Sequence, residues 1–459
     1  MTVQSGIPEN HKIRAGFTLA SLAHAAGMNV VILLAFRYFT DNLGMTAATV
    51  GLLFAAMKIY DGFTDPLLGT ISDQTRSRLG RRLPFLLGGS ILMPIAVILL
   101  FAAPTSLSPT VLILFLGLAL MLHATAYTAL TIPGMAMIVE VTDDYHERST
   151  LMSFRVFGNT LGTLAGSTLP GWLLAAWGAS RAAHMQVSAV VALIVLVAGV
   201  GSVFLLRRAA QTSMVQTPQR LTLSTVPRQM KLAWNNIPFR LLAIAHVFIL
   251  IGTATTGITN SYFTRYVLES SDTWLGNYYL FATIGIVTSM PLWLRAAKNV
   301  GKKRCYIAAM MGFGLLHLSW FLVDQSEPYS LLVTRAVLTG VASSGLILFA
   351  YSMLSDAIRY DYIKTGLRRE GSYAGFTSLI DKLSAAAGIA GLGVLMSAMG
   401  YVESTSGGQQ AQSESAIMAI YVGFALVPAV CMACSAIAIS RYRLDAEDLV
   451  EINDTKRAD

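Results

Sequence analysis

The 459-residue chain is 54% hydrophobic and 13% charged, whereas a soluble globular domain carries roughly 25% charged residues. This composition excludes a soluble protein and predicts an all-α polytopic membrane protein. The net charge of +8 does not indicate a nucleic-acid partner, because the basic residues stand in short segments between apolar runs.

Apolar stretches long enough to cross a bilayer recur along the chain. A bilayer core about 30 Å thick needs about 20 helical residues. We identify twelve such stretches, at 15–40, 47–71, 83–103, 109–139, 150–177, 184–206, 239–264, 273–294, 304–323, 328–355, 371–399 and 415–440.

The charges of the connecting segments orient these spans. The even-numbered connections and both termini are rich in Lys and Arg, as at 76–82 and 298–304, whereas the odd-numbered connections hold only Arg181 and Arg265 as basic residues. Basic loops stay on the cytoplasmic side of a membrane. We therefore predict a multi-pass protein of the cytoplasmic (inner) membrane with both termini in the cytoplasm.

The longest polar stretch between spans divides the chain into two sets of six. We predict an N-terminal six-helix half at 1–206, a cytoplasmic linker at 207–238, a C-terminal six-helix half at 239–440 and a cytoplasmic tail at 441–459. Two six-helix halves joined in this way are typical of the major facilitator fold, whose substrate site lies near the midplane between the halves.

The second span carries an unusual set of charges. Lys58, Asp61 and Asp65 share one helical face, although a charge at the bilayer centre costs at least about 2.5 kcal/mol. Two carboxylates four residues apart repel each other unless a cation lies between them, and Thr64 adds a hydroxyl oxygen beside them. Na⁺ prefers such oxygen ligands, and without a metal ion one carboxylate takes up a proton. The alternative is a structural ion pair between Lys58 and one aspartate.

Other polar residues interrupt the later spans. Pro133 and Gly134 near the end of the fourth span predict either a broken helix that lines a transport site or a plain kink. Asp381 and Lys382 in the eleventh span point about 100° apart on a helix, so one of them needs another partner. For Arg37 at the end of the first span we expect a side chain that reaches the membrane surface.

Two motifs give a specific resemblance. Residues 60–69 read Tyr-Asp-Gly-Phe-Thr-Asp-Pro-Leu-Leu-Gly, and residues 72–85 read Ser-Asp-Gln-Thr-Arg-Ser-Arg-Leu-Gly-Arg-Arg-Leu-Pro-Phe. Together they closely resemble the signature of the glycoside–pentoside–hexuronide:cation symporters, the melibiose-permease-like family of the major facilitator superfamily. Segments 39–41 and 356–371 are also similar to that family. The resemblance implies sugar uptake coupled to Na⁺, H⁺ or Li⁺.

The resemblance also implies roles for individual residues. It implies a cation site of Asp61, Thr64, Asp65 and Thr128, in which Thr64 stands where well-known members carry Asn. It implies a substrate cavity lined by Tyr127, Arg155 and Lys382, with His24 and Thr131 at the substrate-binding positions where this chain departs from the family.

Those departures concern the charge of the cavity. Sugar-binding members carry acidic residues where this chain has Ala25, after His24, and Thr131. With Arg155 and Lys382 kept, the field of the cavity becomes more positive, which favours an anionic solute. The alternative is that Arg155 pairs with Asp61 or Asp65, and Lys382 with Asp381, which leaves no spare charge. Histidines within the spans, among them His246, are expected to take hydrogen-bonded packing roles rather than to relay protons.

We therefore predict a secondary transporter for cation-coupled symport of a sugar or glycoside-type solute. The alternative is a carrier for an anionic or amphipathic solute such as a uronate, a sulfonated sugar or a lysolipid. No HExxH, GxSxG or P-loop motif is present, so we expect no enzyme and no cofactor besides a coupling Na⁺ or H⁺. The expected partners are the solute, the cation and the lipid bilayer, with the protein a monomer.

The basic loop after the second span is the last candidate site. We predict that it helps to set the balance between inward- and outward-open states, because its charges can pair with helix ends in one state only. The alternative is that these arginines only fix topology. The residues concerned are Asp73, Arg76, Arg78, Arg81 and Arg82.

Overall fold

The structure is a computed structural model of the chain. It describes residues 10–104, 106–142, 144–212, 232–367, 369–405, 407 and 409–444. Residues 213–231 of the predicted linker and 445–459 of the predicted tail lie outside these described residues.

All regular secondary structure of the described residues is helical, and twelve of the helices are long. Each long helix overlaps one predicted span, which confirms the all-α fold class. The helices are α1 (10–41), α2 (Ala47–Gln74), α3 (Leu83–Phe101), α4 (Pro109–Val141), α5 (145–177), α6 (Arg181–Thr212), α7 (Ile237–Val267), α8 (Asp272–Val300), α9 (Lys302–Leu322), α10 (Tyr329–Thr365), α11 (Glu370–Ala398) and α12 (Glu414–Ser440).

Capping residues set several helix ends. The Asp144 carboxylate accepts hydrogen bonds from two backbone N–H groups in the first turn of α5, and the side chains of Asn236 and Ser413 each accept one such bond at the start of α7 and α12. Gly366 ends α10 in the left-handed conformation, with φ of 71°, which glycine adopts without steric cost.

Within the described residues, ten of the twelve long helices are also apolar enough to cross a membrane. The two that fall outside this set are α2 and α5. They hold the charged residues Lys58, Asp61 and Asp65 on α2, and Glu147 and Arg155 on α5. The two helices outside this set therefore each carry candidate site residues.

Helix α4 corrects one expectation from the sequence. It runs without interruption from Pro109 to Val141, through Pro133 and Gly134. A broken helix at this pair is therefore wrong, because neighbouring turns keep the helix intact around the missing N–H of the proline.

Helices α1–α6 pack mainly on one another, as do α7–α12, and the two groups meet most extensively along α2 and α11 and, near the odd-numbered loops, between α5 and α8. There α5 and α8 approach through a pair of glycines. A Cβ atom on Gly171 would lie 2.6 Å from the backbone N of Gly276, and one on Gly276 would lie 2.6 Å from the Thr168 carbonyl oxygen. Side chains at these positions would force the helices apart, so the glycines hold this end of the bundle closed.

The bundle is less closed at the even-numbered loops. Helix α8 packs on the second part of α5, from residue 164 onward, and not to a comparable extent on the first part. Ion pairs at this end, such as Arg14–Glu147 at 2.9 Å and Lys302–Asp356 at 2.6 Å, join residues of the same helix group. The contact of α8 with α5 is therefore confined to the end away from the one that the charge pattern predicts to be cytoplasmic.

Candidate functional site

The charged face of α2 lies in the interior, as its spacing predicts. The Asp61 side chain is 2% exposed, Lys58 is buried, and Asp65 is partly buried one turn further along the helix. Two carboxylates with so little water around them require compensation by a cation, a proton or hydrogen-bond donors.

The cation that compensates them comes from the other helix group. The Lys382 ammonium on α11 forms an ion pair with Asp61 and a second one, at 3.2 Å, with Asp65 Oδ2. In the described residues no ion pair joins Lys58 to either aspartate, so the structural pairing of Lys58 considered from the sequence is wrong. The proposed pairing of Lys382 with Asp381 is also wrong.

A threonine of α4 completes this cluster. The Thr128 hydroxyl lies 2.7 Å from Asp65 Oδ1 and 3.1 Å from Asp61 Oδ1. The hydroxyl has a single proton, which it donates to one carboxylate at a time. Because it lies within hydrogen-bond distance of both, Thr128 links Asp61 and Asp65. Thr64 is close by, but its hydroxyl donates to the backbone oxygen of Asp61 at 3.2 Å. The structure thus brings together the four residues that the resemblance assigns to a cation site, with unequal access to a shared ion.

The oxygen atoms of this cluster fit a hard monovalent cation. Two carboxylates and a hydroxyl are ligand types that Na⁺ accepts, and either carboxylate can take a proton instead. No group of three or more His, Cys, Asp or Glu residues suited to a metal ion occurs in the described part of the chain. A cation that binds here must compete with the Lys382 ammonium.

The predicted substrate positions lie beside this cluster, around the Tyr127 side chain. Lys382 Nζ lies 5.8 Å from the centre of the Tyr127 ring, and His24 packs edge-on against the same ring at 5.9 Å. His24 is buried and its Nδ1 lies 3.2 Å from the Ala20 carbonyl oxygen. The Thr131 hydroxyl donates to the Tyr127 carbonyl oxygen at 2.7 Å. Of these four residues, Lys382 is the one whose ammonium can interact either with the carboxylates of the cation site or with a solute.

Arg155 on α5 is partly buried. No ion pair to Arg155 occurs among the described residues, so the alternative in which it pairs with Asp61 or Asp65 is wrong. Arg155 therefore presents a charge that a solute can neutralise.

A second polar pair was missed by sequence reasoning. His246 Nε2 on α7 lies 2.7 Å from Asp381 Oδ1 on α11, and the two side chains are 21% and 40% exposed. The hydrogen bond agrees with the expected hydrogen-bonded packing role of His246, although its partner Asp381 was not predicted. The signal was the angle between neighbouring helix positions, because Asp381 cannot face the same way as Lys382.

The predicted gating residues cluster on the N-terminal helix group. Arg82 pairs with Asp73 and, at 2.8 Å, with Glu140 on α4, which also accepts a hydrogen bond from Arg81 at 2.7 Å. Arg76 and Arg78 are exposed in the loop after α2. The loop is thus fastened to α4, a partner that the sequence did not indicate.

The opposite end carries a cluster that joins the two helix groups. Asp41 is fully buried and accepts hydrogen bonds from Tyr401 at 2.6 Å and Tyr266 at 2.8 Å. Arg37 pairs with Asp272 at 2.8 Å and is 1% exposed, so its expected reach to the membrane surface is wrong.

A family model described as MFS/sugar transport protein matches residues 16–446, almost the whole length of the chain. The chain belongs to the MFS/sugar transport protein family. The resemblance found in the sequence motifs is thereby confirmed, and the charged face of α2 lies within the matched range.

Relatives within this MFS/sugar transport family are distant but collinear. The isoprimeverose transporter of Lactiplantibacillus pentosus is 27% identical and covers 94% of this chain and 88% of its own length. The inner membrane symporter YicJ of Escherichia coli is 24% identical over 94% and 91%. The glucuronide carrier protein homolog of Escherichia coli is 25% identical over 96% and 95%.

Solved structures agree with the fold. The crystal structure of the nucleoside transporter NupG superposes with a TM-score of 0.66 at 13% identity, over 94% of this chain and 100% of that one. At this identity the likeness shows the fold alone, which is the predicted major facilitator fold.

Proposed function

We propose that this MFS/sugar transport family member is a secondary active transporter that couples symport of a sugar or glycoside-type solute to Na⁺ or H⁺. The observation that carries the proposal is the contact of Lys382 with Asp61 and Asp65. The contact joins α11 of one helix group to α2 of the other. A coupling cation competes with the Lys382 ammonium for the two carboxylates. The relatives named as a symporter and as an isoprimeverose transporter support the solute class.

The contact suggests how cation and solute are coupled. A Na⁺ ion or a proton at Asp61 and Asp65 takes over the neutralising role of Lys382. The released ammonium then turns toward the cavity beside Tyr127, where it donates to an oxygen of the solute. Each ligand thus raises the affinity for the other, and this linkage is reciprocal.

Gradient-dependent uptake tests this function. The purified chain in proteoliposomes is given radiolabelled isoprimeverose and a panel of methyl glycosides, with an inward Na⁺ gradient, an inward proton gradient or neither. Accumulation above the external concentration is expected under one gradient, with collapse when an ionophore dissipates it. Uptake that only equilibrates under every gradient would contradict symport.

A carrier for an anionic solute is the second candidate, and Arg155 favours it. This cation has no ion pair in the described residues and stands in a cavity where Ala25 and Thr131 add no negative charge. The relative named as a glucuronide carrier homolog is consistent with this solute class. No contact of the structure specifically favours a lysolipid.

The membrane arrangement is part of the proposal. Both termini lie in the cytoplasm, the chain divides into six-helix halves around the linker 207–238, and the monomer is the transporting unit in the cytoplasmic membrane. It needs no cofactor besides the coupling ion and catalyses no chemical reaction. The charge pattern of the loops supports the orientation. The proposed gating role of the loop after α2 rests on its charged residues, of which Arg82 pairs with Asp73 and with Glu140 on α4.

A further inference from the structure

Helix α2, which carries Asp61 and Asp65, begins with N–H groups that its own turns cannot satisfy. The first N–H groups of any α-helix have no carbonyl partner within the helix. In α2, Thr46 is the N-cap, and its side-chain oxygen accepts a hydrogen bond from the Thr49 N–H at 3.3 Å. This cap leaves the N–H groups of the two residues between them, Ala47 and Ala48, for other acceptors.

Both of these acceptors come from the other helix group. The Ala48 N–H donates to Ser397 Oγ in the last turn of α11, with a distance of 2.9 Å between nitrogen and oxygen. The Ala47 N–H donates to Glu403 Oε1, in the connection between α11 and α12, at 3.3 Å. The charge of this carboxylate is also favourable at the positive end of the α2 dipole. The start of α2 is thus capped by two side chains of the opposite helix group.

Two glycines bring α11 close enough for these contacts. A Cβ atom on Gly51 of α2 would lie 3.1 Å from the Ile389 carbonyl oxygen and 3.2 Å from the Cα atom of Gly393. A side chain at Gly51 would therefore push α11 away from α2. Gly393 and Ser397 are four residues apart and share one face of α11, so the close approach at the glycines lets the short Ser397 side chain reach the first turn of α2.

The segment that carries Glu403 is bound to the end of α1. The Ser404 N–H donates to the Thr40 carbonyl oxygen at 3.0 Å, and the Gly407 N–H donates to the Asp41 carbonyl oxygen at 2.9 Å. These backbone hydrogen bonds join the two helix groups, and they hold Glu403 beside the start of α2 while the odd-loop end is closed.

The two caps can form in the closed arrangement alone. When α11 moves away from α2, Ser397 and Glu403 leave with it and water replaces them, whereas Thr46 stays with α2. Removal of either cap therefore destabilises the closed arrangement, because a partly buried N–H group is left without an acceptor. The open arrangement is unaffected, since its N–H groups are hydrated in any case.

We propose that Ser397 and Glu403 are positioning residues, which cap α2 from the opposite helix group and thereby set the balance between the closed and open arrangements of the odd-loop end. They act through the helix of the proposed cation site and contact neither the cation nor the solute. The inference rests on the proposed function, because alternating access requires this end to open.

Cysteine accessibility tests the caps in the absence of solute. Ile389 is 4% exposed and its carbonyl oxygen faces Gly51, so Ile389→Cys, in a full-length chain without the native cysteines, reports separation of α11 from α2. In nanodiscs, the rate of its reaction with a hydrophilic maleimide follows the population of the open arrangement when closing is faster than labelling. Ser397→Ala and Glu403→Ala should each raise this rate by about 2- to 30-fold, the range for loss of a helix cap.

Thr46→Ala is the matched control. It removes a cap from the same end of α2 but within one helix group, so both arrangements lose it equally and the labelling rate should stay that of the parent. Glu403→Gln keeps an acceptor oxygen and should label more slowly than Glu403→Ala. If Ser397→Ala does not fold, Glu403→Ala carries the test, because Glu403 lies in a connection and not in a helix.

The outcomes separate the caps from the transport function. Unchanged labelling in both Ser397→Ala and Glu403→Ala would overturn the proposal, and so would an equal rise in Thr46→Ala, which would show that any cap merely secures the helix end. Neither result would contradict the proposed function, which is tested by gradient-driven uptake. Absence of that uptake, together with the expected labelling pattern, would remove the proposed function and leave the caps in place.

Discussion

Arg37 on α1 and Asp272 on α8 form a buried ion pair of 2.8 Å between the two helix groups. Beside it, Arg265 lies 3.5 Å from Asp41, whose carboxylate also accepts the hydroxyl proton of Tyr401. All of these contacts lie at the odd-loop end, and several of them must separate before that end can open. We therefore expect these contacts to stabilise the closed arrangement of the odd-loop end.

We predict that Asp272→Asn opens the odd-loop end. Removing one partner of a buried pair costs about 3–5 kcal/mol, because Arg37 is then left as an uncompensated charge. Ile32 on α1 faces Gly257 on α7 across this interface. Ile32→Cys, in a chain from which the native cysteines are removed, should react faster with an impermeant maleimide added outside when Asp272→Asn is also present.

The control for this experiment is Asp356→Asn, since the Lys302–Asp356 pair is much more exposed than the Arg37–Asp272 pair and solvent-exposed pairs contribute only about 0–1 kcal/mol. It should leave the labelling rate unchanged. Equal labelling in Asp272→Asn and the parent would show that the pair does not hold this end closed.

We predict that Asp65→Asn abolishes concentrative uptake but keeps exchange of solute. Neutral Asn cannot attract a coupling cation, while Lys382 still has Asp61 as its partner, so the fold survives. Accumulation and counterflow in proteoliposomes measure the two activities separately. Full Na⁺- or H⁺-driven accumulation by this variant would remove Asp65 from the coupling site.

The two threonines of the cluster should differ in importance. Thr128 bridges both carboxylates, whereas Thr64 donates to its own helix. A hydrogen bond to a charged group contributes about 1.5–3 kcal/mol, so Thr128→Ala should change the apparent cation affinity by at least about tenfold. Thr64→Ala should change it far less. Cation titration of solute uptake measures both, and equal effects would contradict the observed geometry.

The sequence predicted the α2 site better than it predicted its partners. The spacing of Asp61 and Asp65 placed both on one face, because helical periodicity is local. Lys382 comes from 321 residues further along the chain than Asp61, and which of several buried cations reaches a carboxylate depends on how α2 and α11 pack. For the same reason Arg37 was expected at the membrane surface, since its partner Asp272 is distant in sequence.

The topology prediction rests on the loop charges alone. Alkaline phosphatase fused after Arg443 should be inactive, because the positive-inside rule places this end in the cytoplasm. A fusion in the connection between α1 and α2, after Leu43, is the matched control and should be active. High activity after Arg443 would overturn the predicted orientation.

The last prediction concerns the charge of the solute, through Arg155. This guanidinium is partly buried and has no ion pair in the described residues, so an anionic group that reaches it gains a charge-assisted hydrogen bond in a region of reduced dielectric. Arg155→Ala should therefore weaken binding of methyl β-glucuronide at least about tenfold more than binding of methyl β-glucoside, because hydrogen bonds between charged groups exceed neutral ones by about 1 kcal/mol or more. Arg155→Lys keeps the charge but not the fork of donors and should restore part of the difference. Calorimetric titration of both solutes against the three proteins gives the comparison. If Arg155→Ala weakens the two solutes equally, Arg155 contacts a hydroxyl common to both, and the preference for an anionic solute is wrong.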